Sequence, residues 1–224
     1  ISGNNQSGIF VNGTDSVSIN KNFIGLGIDG STALGNSSYG ISLANDHASQ
    51  VIDNVISSSG AEGLFVNLGS DRTIDGNRIG TDAAGTAARP NNFGIWIHGS
   101  KHNKIGWTTG NLISGNTGNG ITLDQADSND IVRNLVGTDG SGAAALPNTN
   151  DGIVVQAGSR YNHIGDGTFN GRNTISGHPT YDVLISASDS NTMTRNFIGL
   201  DSAGSVKLSS GIVGISVANA SYNL

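Results

Sequence analysis

The sequence predicts an all-β solenoid of three-strand coils, and three observations predict it. A unit recurs at a fixed step: NLISGNTGNGITLDQADSNDIVRN, from Asn111 to Asn134, has counterparts from Asn54 to Asn77 and from Asn173 to Asn196, so each step is 23 residues (134−111, 77−54, 196−173). The Asn111 unit holds three short apolar pairs, Leu112/Ile113, Ile121/Leu123 and Ile131/Val132, separated by Gly, Asn, Ser and Asp clusters that form turns and end strands. Those apolar positions align from unit to unit. A fixed period of this size marks stacked coils that share a core along an axis.

Taken in order, coils start at Asn22, Asn54, Asn77, Asn111, Asn134, Asn173 and Asn196, after a partial one that begins at Ile1. The steps are 32, 23, 34, 23, 39 and 23 residues, so long and short coils alternate and the chain makes about seven to eight of them. Long coils open as NRIGTDAAG (Asn77 to Gly85), NLVGTDGSG (Asn134 to Gly142) and NFIGLDSAG (Asn196 to Gly204). Their extra residues, including Pro90 and Pro147, predict a protruding loop rather than a strand.

Within a strand every second side chain points inward. One inward column is Ile24, Ile56, Ile79, Ile113, Val136, Ile175 and Ile198, and another runs through Ile19, Val51, Ile74, Ile105, Ile131, Ile164 and Met193. The third pairs Ile9, Ile41, Leu64, Ile95, Ile121, Ile153, Val183 and Ile215 with the apolar residue two positions on. At ~1.5–3 kcal/mol per buried aliphatic side chain, these columns dominate stability. The leading asparagines predict a ladder of buried turn amides, with Asn103, Asn129, Asn162, Asn191 and Asn223 as a second file. A glycine precedes the second strand in each coil (Gly8, Gly40, Gly63, Gly94, Gly120, Gly152, Gly214), which predicts a bend with positive φ or a close approach of coils. Asp182 interrupts that file, so its coil should be locally distorted.

Composition narrows the function. One repeat over residues 1–224 leaves no place for a second core, so the chain reads as a single domain. The regular Ile, Val and Leu positions exclude a disordered chain despite 34 glycines. A net charge of −6 with scattered Lys and Arg argues against nucleic acid as a partner. No apolar run approaches a membrane span. Without cysteine there are no disulfides or thiolate metal sites.

The alternation of NLISGN-type with NRIGTDAAG-type coils, joined by NKIGWTTGNLISGN from Asn103 to Asn116, resembles the right-handed parallel β-helix repeat, of pectin-lyase-like fold, found in large secreted or cell-surface bacterial proteins. The resemblance covers essentially the whole chain. It implies a secreted or cell-surface location and little about activity, because the fold hosts polysaccharide lyases, hydrolases, epimerases, tailspikes and adhesins alike. Ile1-Ser2-Gly3-Asn4 matches Ile113 to Asn116, and Ser221 to Leu224 matches the segment around Tyr161-Asn162. The chain therefore reads as a piece of a longer one with both end caps missing, or with ends covered by another chain.

In enzymes that this repeat resembles, the site lies on the strand after the variable loop, here the second strand. Its richest outward patch is Trp96 and His98 beside Asp124, with Lys101 and Asp127 in the following turn; adjacent coils at about 4.8 Å bring these side chains within reach. Trp96, His98 and Asp124 are the candidate ligand-binding residues, and His98, Asp124, Lys101 and Asp127 the candidate catalytic ones. A glycosidase needs two carboxylates roughly 5–9.5 Å apart, and Asp124 is the sole outward carboxylate of this strand. A pectate-type lyase needs a Ca²⁺-binding carboxylate cluster with a basic residue. Ile95-Trp96-Ile97-His98 resembles the WIDH motif of pectate lyases without its Asp, and the DPHD motif of alginate epimerases is absent. An exposed polar strand explains the patch without catalysis.

Asp82, Asp139 and Asp201 invite a Ca²⁺ reading, but they lie on alternate coils, about 9.6 Å apart, too far for one cation. Turn capping is the better reading, and no cofactor or metal is expected. In the first long coil Gly27 replaces the Asp. Phe10, Phe65, Trp96, Val154 and Leu184 form an outward apolar stripe, which predicts packing under the long-coil loops, a partner or oligomer interface, or a sugar-stacking face. The function expected is a rigid stalk or a platform for a carbohydrate polymer or cell-surface partner. The competing expectation is a polysaccharide lyase, glycoside hydrolase or epimerase.

Overall fold

In the computed structural model, residues 1–168, 170–208 and 211–223 are described. Leu224, part of the C-terminal sequence match, lies outside them. The described residues form twenty-two strands in three parallel sheets with no helix. The first sheet stacks β1 (Ile9–Asn12), β4 (Ile41–Ala44), β7 (Leu64–Asn67), β10 (Ile95–His98), β13 (Ile121–Asp124), β16 (Ile153–Gln156), β19 (Tyr181–Ser186) and β22 (Val213–Ala218). The second stacks β2 (Ser18–Asn20), β5 (Gln50–Ile52), β8 (Thr73–Asp75), β11 (Lys104–Ile105), β14 (Asp130–Ile131), β17 (His163–Ile164) and β20 (Thr192–Met193). The third stacks β3 (Phe23–Ile24), β6 (Val55–Ile56), β9 (Arg78–Ile79), β12 (Leu112–Ile113), β15 (Leu135–Val136), β18 (Thr174–Ile175) and β21 (Phe197–Ile198). Each strand pairs with its counterpart one coil away, which makes a right-handed parallel β-helix.

The inward columns form one continuous core, in which Ile56, Ile79, Ile113, Ile131 and Ile153 have no exposed surface. On β22, at the edge of the first sheet, Ile215 and Val217 are 44% and 51% exposed. Among the glycines ahead of the first-sheet strands, close approach is what the fold needs. None of them has positive φ, and a Cβ on Gly40 would lie 2.5 Å from Ile56 Cγ2 and 2.6 Å from the Gly63 carbonyl oxygen. β19, where Asp182 replaces glycine, and β22, which keeps Gly214, both run for six residues, so the early start of β19 is not due to the missing glycine.

The asparagine ladder runs unbroken from Asn22 to Asn196, each Oδ1 accepting the backbone N–H and the side-chain N–H of the asparagine one coil before it. The file from Asn103 to Asn223 repeats the pattern. A third file, not anticipated, lies at the corner before the first sheet. Asn91, Asn116 and Asn148 bond in sequence, and Asn148 Nδ2 lies 3.2 Å from His178 Nε2. His178 and Asp182 are buried, with Nδ1 2.9 Å from Asp182 Oδ1. The Asn148 amide is oriented by its bonds to Asn116, so it donates to Nε2, which leaves the imidazole proton on Nδ1 facing the carboxylate. Polar satisfaction thus continues through a coil that lacks both the asparagine and the glycine.

The long-coil loops are small hairpins. Asp82 Oδ1 accepts the N–H groups of Thr86 and Ala87, and Asp139 and Asp201 act alike in their loops. In the first loop, where Gly27 takes the Asp position, Asp29 does this work by accepting the N–H groups of Ser31 and Thr32. The hairpins lean across the intervening short coil and bond to one another, Ala83 N–H to Gly30, Gly140 to Gly85 and Ser202 to Gly142. They cover the third sheet rather than the aromatic stripe of the first. A Cβ on Gly30, Gly85, Gly142 or Gly204 would lie 2.6–3.3 Å from Phe23, Leu112, Leu135 or Phe197 respectively. The long-coil loops therefore reach the stripe only through their last residues, Tyr39 and Phe93, and not through their hairpins.

Candidate functional site

Two residues at the ends of the long-coil loops, just ahead of β4 and β10, meet the stripe. Tyr39 stacks on Phe65 with ring centroids 4.9 Å apart and planes at 15°, and Phe93 meets Trp96 edge-on at 4.9 Å. Asn119 Nδ2 donates to Thr122 Oγ1 in the same way. Ser42, Thr122 and Val154, although outward, are buried, whereas Phe10 at the first coil stays 66% exposed.

Strand register sets the centre of the site. Trp96 lies between Phe65 and Thr122, and His98 between Asn67 and Asp124. His98 Nδ1 is 3.6 Å from Asp124 Oδ1, while Gln156 Nε2, one coil further, donates to Asp124 Oδ2 at 3.2 Å. Asp124 Oδ1 and Trp96 Nε1 are shut from solvent without a hydrogen-bond partner. Tyr39, Glu62, Phe65, Trp96, His98 and Asp124 together line a hollow of about 370 Å³. Burial raises the pKa of Glu62, and burial followed by the Glu62 charge raises that of Tyr39.

Of the residues singled out from the sequence, Trp96, His98 and Asp124 meet here. Lys101 and Asp127 do not line the hollow: Lys101 belongs to the turn stack beside Ser70, and Asp127 accepts the Arg160 N–H. Tyr39, Glu62 and Phe93 escaped sequence reasoning because they sit in turns, outside the period-two pattern. Glu62 adds a second carboxylate, but it stands two coils and five residues from Asp124, an offset of roughly 16 Å along the strand direction alone. Their backbone positions thus stand wider apart than the roughly 5–9.5 Å spacing of a glycosidase carboxylate pair. What the arrangement offers is apolar ring faces edged by carboxylates, an imidazole and a phenol, a combination that fits a polyhydroxylated ring.

This architecture defines a right-handed parallel β-helix protein of the pectin-lyase-like type. The family described as periplasmic copper-binding protein (NosD) matches residues 1–170 and 86–199, and the chain belongs to that family. A family of periplasmic proteins places it outside the cytoplasm, in the cell envelope or beyond. No curated protein sequence matches the chain. Among solved structures it is similar to the periplasmic alginate epimerase AlgG: the T265N mutant is 14% identical with a TM-score of 0.57, over 84% of this chain and 51% of that one. A second AlgG structure is 13% identical with a TM-score of 0.48, over 86% and 48%. The chain spans about half the length of these structures, and the likeness is one of fold.

The copper in the family description finds no matching donor set here. Among the described residues no group of three or more His, Cys, Asp and Glu side chains is placed to hold a metal ion. The chain has no cysteine and a single methionine, Met193, which packs against the core. Four of its five histidines face one aspartate each (His98–Asp124, His102–Asp71, His163–Asp130, His178–Asp182), and His47 Nδ1 bonds Ser70 Oγ.

Proposed function

We propose that this chain is a rigid envelope platform that binds a neutral glycan in the hollow of its first sheet, without cleaving it. The observation that carries the reading is the aromatic group Tyr39, Phe65, Phe93 and Trp96, assembled on an unbroken parallel sheet and edged by Glu62, His98 and Asp124. Stacked aromatics supply flat, preorganised apolar surface, and Glu62, His98 and the Oδ2 atom of Asp124 supply donors and acceptors for hydroxyls. Two carboxylates in the hollow disfavour a uronate polymer by like charge, so a neutral glycan is the better ligand. The stalk role follows from the same coil stack, since its core and ladders run the length of the chain.

Titration with neutral and uronate oligosaccharides, followed by calorimetry and by product analysis, tests this. Saturable binding of a neutral oligosaccharide is expected, weakened about tenfold or more by Trp96→Ala and less by Asp124→Asn. No binding, or binding indifferent to Trp96→Ala, refutes the platform. Release of shortened, unsaturated or epimerised products, abolished by His98→Ala or Asp124→Asn, would establish the enzyme reading in its place.

A further inference from the structure

A second groove lies on another face of the coil stack. Two insertions lengthen the corner between the second and third sheets: residues 106–110 after β11, and residues 165–172 after β17. They stand two coils apart, and the short coil between them has no insertion. Trp107, Val132 of that short coil, Gly165 to Gly167 and, one coil further, Thr192 and Thr194 line a groove of about 430 Å³. Trp107 is 46% exposed, with the Lys104 ammonium 4.2 Å from its ring centroid, and Arg133 Nη1 donates to the Thr108 carbonyl at 3.4 Å.

The open side of the groove is edged by side chains that the strand register places in a row. Lys104 pairs with Asp130, Asp130 with His163, and His163 with Thr192 across β11, β14, β17 and β20. His163 Nδ1 and Asp130 Oδ1 are 2.9 Å apart, Thr192 adds a hydroxyl, and Thr194 adds another that donates its own hydrogen to the Gly165 carbonyl and keeps its lone pairs as acceptors. An indole wall, an imidazole, a carboxylate and two hydroxyls within one groove of this size fit a small polar ligand with an apolar ring face. Asp130 and Asp166 stand beside Lys104, Arg133 and His163, so the groove carries no strong charge of either sign to select an ion.

We propose that this groove is a second saccharide site, for a neutral pyranose oligomer stacked on Trp107 with its hydroxyls bonded to Asp130, His163 and the two threonines. It rests on residues separate from those of the first-sheet hollow. Two such sites on different faces of one rigid body let a single molecule hold two glycan strands, so polymer retention exceeds the affinity of either site.

The chain has two tryptophans, Trp96 in the hollow and Trp107 in the groove, so each site carries its own probe. Trp96→Phe leaves Trp107 as the sole emitter. Titrated with cellohexaose and mannohexaose, that variant is expected to show a saturable emission change, weakened at least tenfold by adding His163→Ala or Thr192→Val with thermal melting unchanged. Calorimetry on the unmodified chain and on Trp107→Ala checks the result without touching the hollow, the variant losing one binding equivalent. Silent Trp107 emission with an unchanged binding equivalent in Trp107→Ala overturns the groove, as does a response indifferent to both His163→Ala and Thr192→Val. If only Trp96 responds, the groove fails and the hollow stands. If only Trp107 responds, the hollow fails and the groove stands.

Discussion

Replacing Asn134 by alanine removes an amide whose two donors and two acceptor positions are all used inside the fold. The two hydrogens of its Nδ2 are shared among three acceptors, the carbonyls of Ile105 and Val132, each at 2.9 Å, and Asn173 Oδ1 at 3.0 Å. Its Oδ1 accepts the backbone N–H of Asn111 at 3.0 Å and the Asn111 amide at 2.9 Å. Asn134 and Asn173 have no exposed surface and Asn111 only 2%, so water does not replace the lost partners. At about 1 kcal/mol net per bond, and with the Asn111 donors stranded, Asn134→Ala should cost about 4–6 kcal/mol. Asn22→Ala is the control. The Asn22 side chain donates only to the Asn20 carbonyl and Asn54 Oδ1, at the partly exposed end of the ladder, so its loss should cost about 1 kcal/mol. Asn134→Asp should be at least as damaging as alanine, because an oxygen would then face three acceptors. Equilibrium urea unfolding followed by circular dichroism measures all three. Equal costs for Asn134→Ala and Asn22→Ala, or less than about 1 kcal/mol for Asn134→Ala, would show that the ladder decorates the fold and does not hold it.

Breaking the buried His178–Asp182 pair with His178→Asn alone should destabilise by about 3–5 kcal/mol, and adding Asp182→Gly, which restores the composition of neighbouring coils, should recover most of that loss in a double-mutant cycle. Glu62→Gln should raise the melting temperature near pH 7 and leave it unchanged below about pH 4. Burial lifts the Glu62 pKa above 4.5, so its ionisation opposes folding as pH rises through that ordinary value and costs nothing when both states are protonated. In acid the hairpin aspartates act in the opposite direction. The backbone N–H groups of Val206 and Ser205 hold Asp201 below 3.8, so the stability it contributes is present above that pH and lost as pH falls through the folded value, read as hydrogen exchange beginning in the long-coil loops. Copper(II) or a chelator should leave the melting temperature unmoved, whereas saturating a true site at a hundred times its Kd would add about 2.7 kcal/mol.

The coil stack was legible because its determinants repeat. Ile113, Ile131 and their counterparts return once in every coil, long or short, and Asn54, Asn77 and Asn111 each sit two residues ahead of a core position. The third amide file escaped notice because its members change: Ser59 N–H donates to Asn91, and His178 continues the file where an asparagine would stand. Asp29 was missed for a related reason, since the capping carboxylate moved two residues along when Gly27 took its place. At the hollow, register alone brought Trp96, His98 and Asp124 together, but Tyr39, Glu62 and Phe93 enter from turns whose direction no two-residue period encodes.

That division between repeating and non-repeating positions bears on function. Inward columns and amide files carry the stability of a solenoid, coil against coil, so its outward side chains and corner insertions can vary with little consequence for folding. Ser42 and Thr122 occupy the same outward register as Phe65 and Trp96, and the stack accommodates small and large residues there alike. Trp96 and Trp107 are the two largest side chains the sequence contains, and neither belongs to the core. One stands on a strand beside Phe93; the other stands in an insertion that the neighbouring short coil lacks. Neither tryptophan is needed for the core, and recognition of a ring-bearing ligand is the role proposed for both. Alanine at either tryptophan should therefore change binding far more than it changes unfolding, whereas alanine at Asn134 should do the reverse.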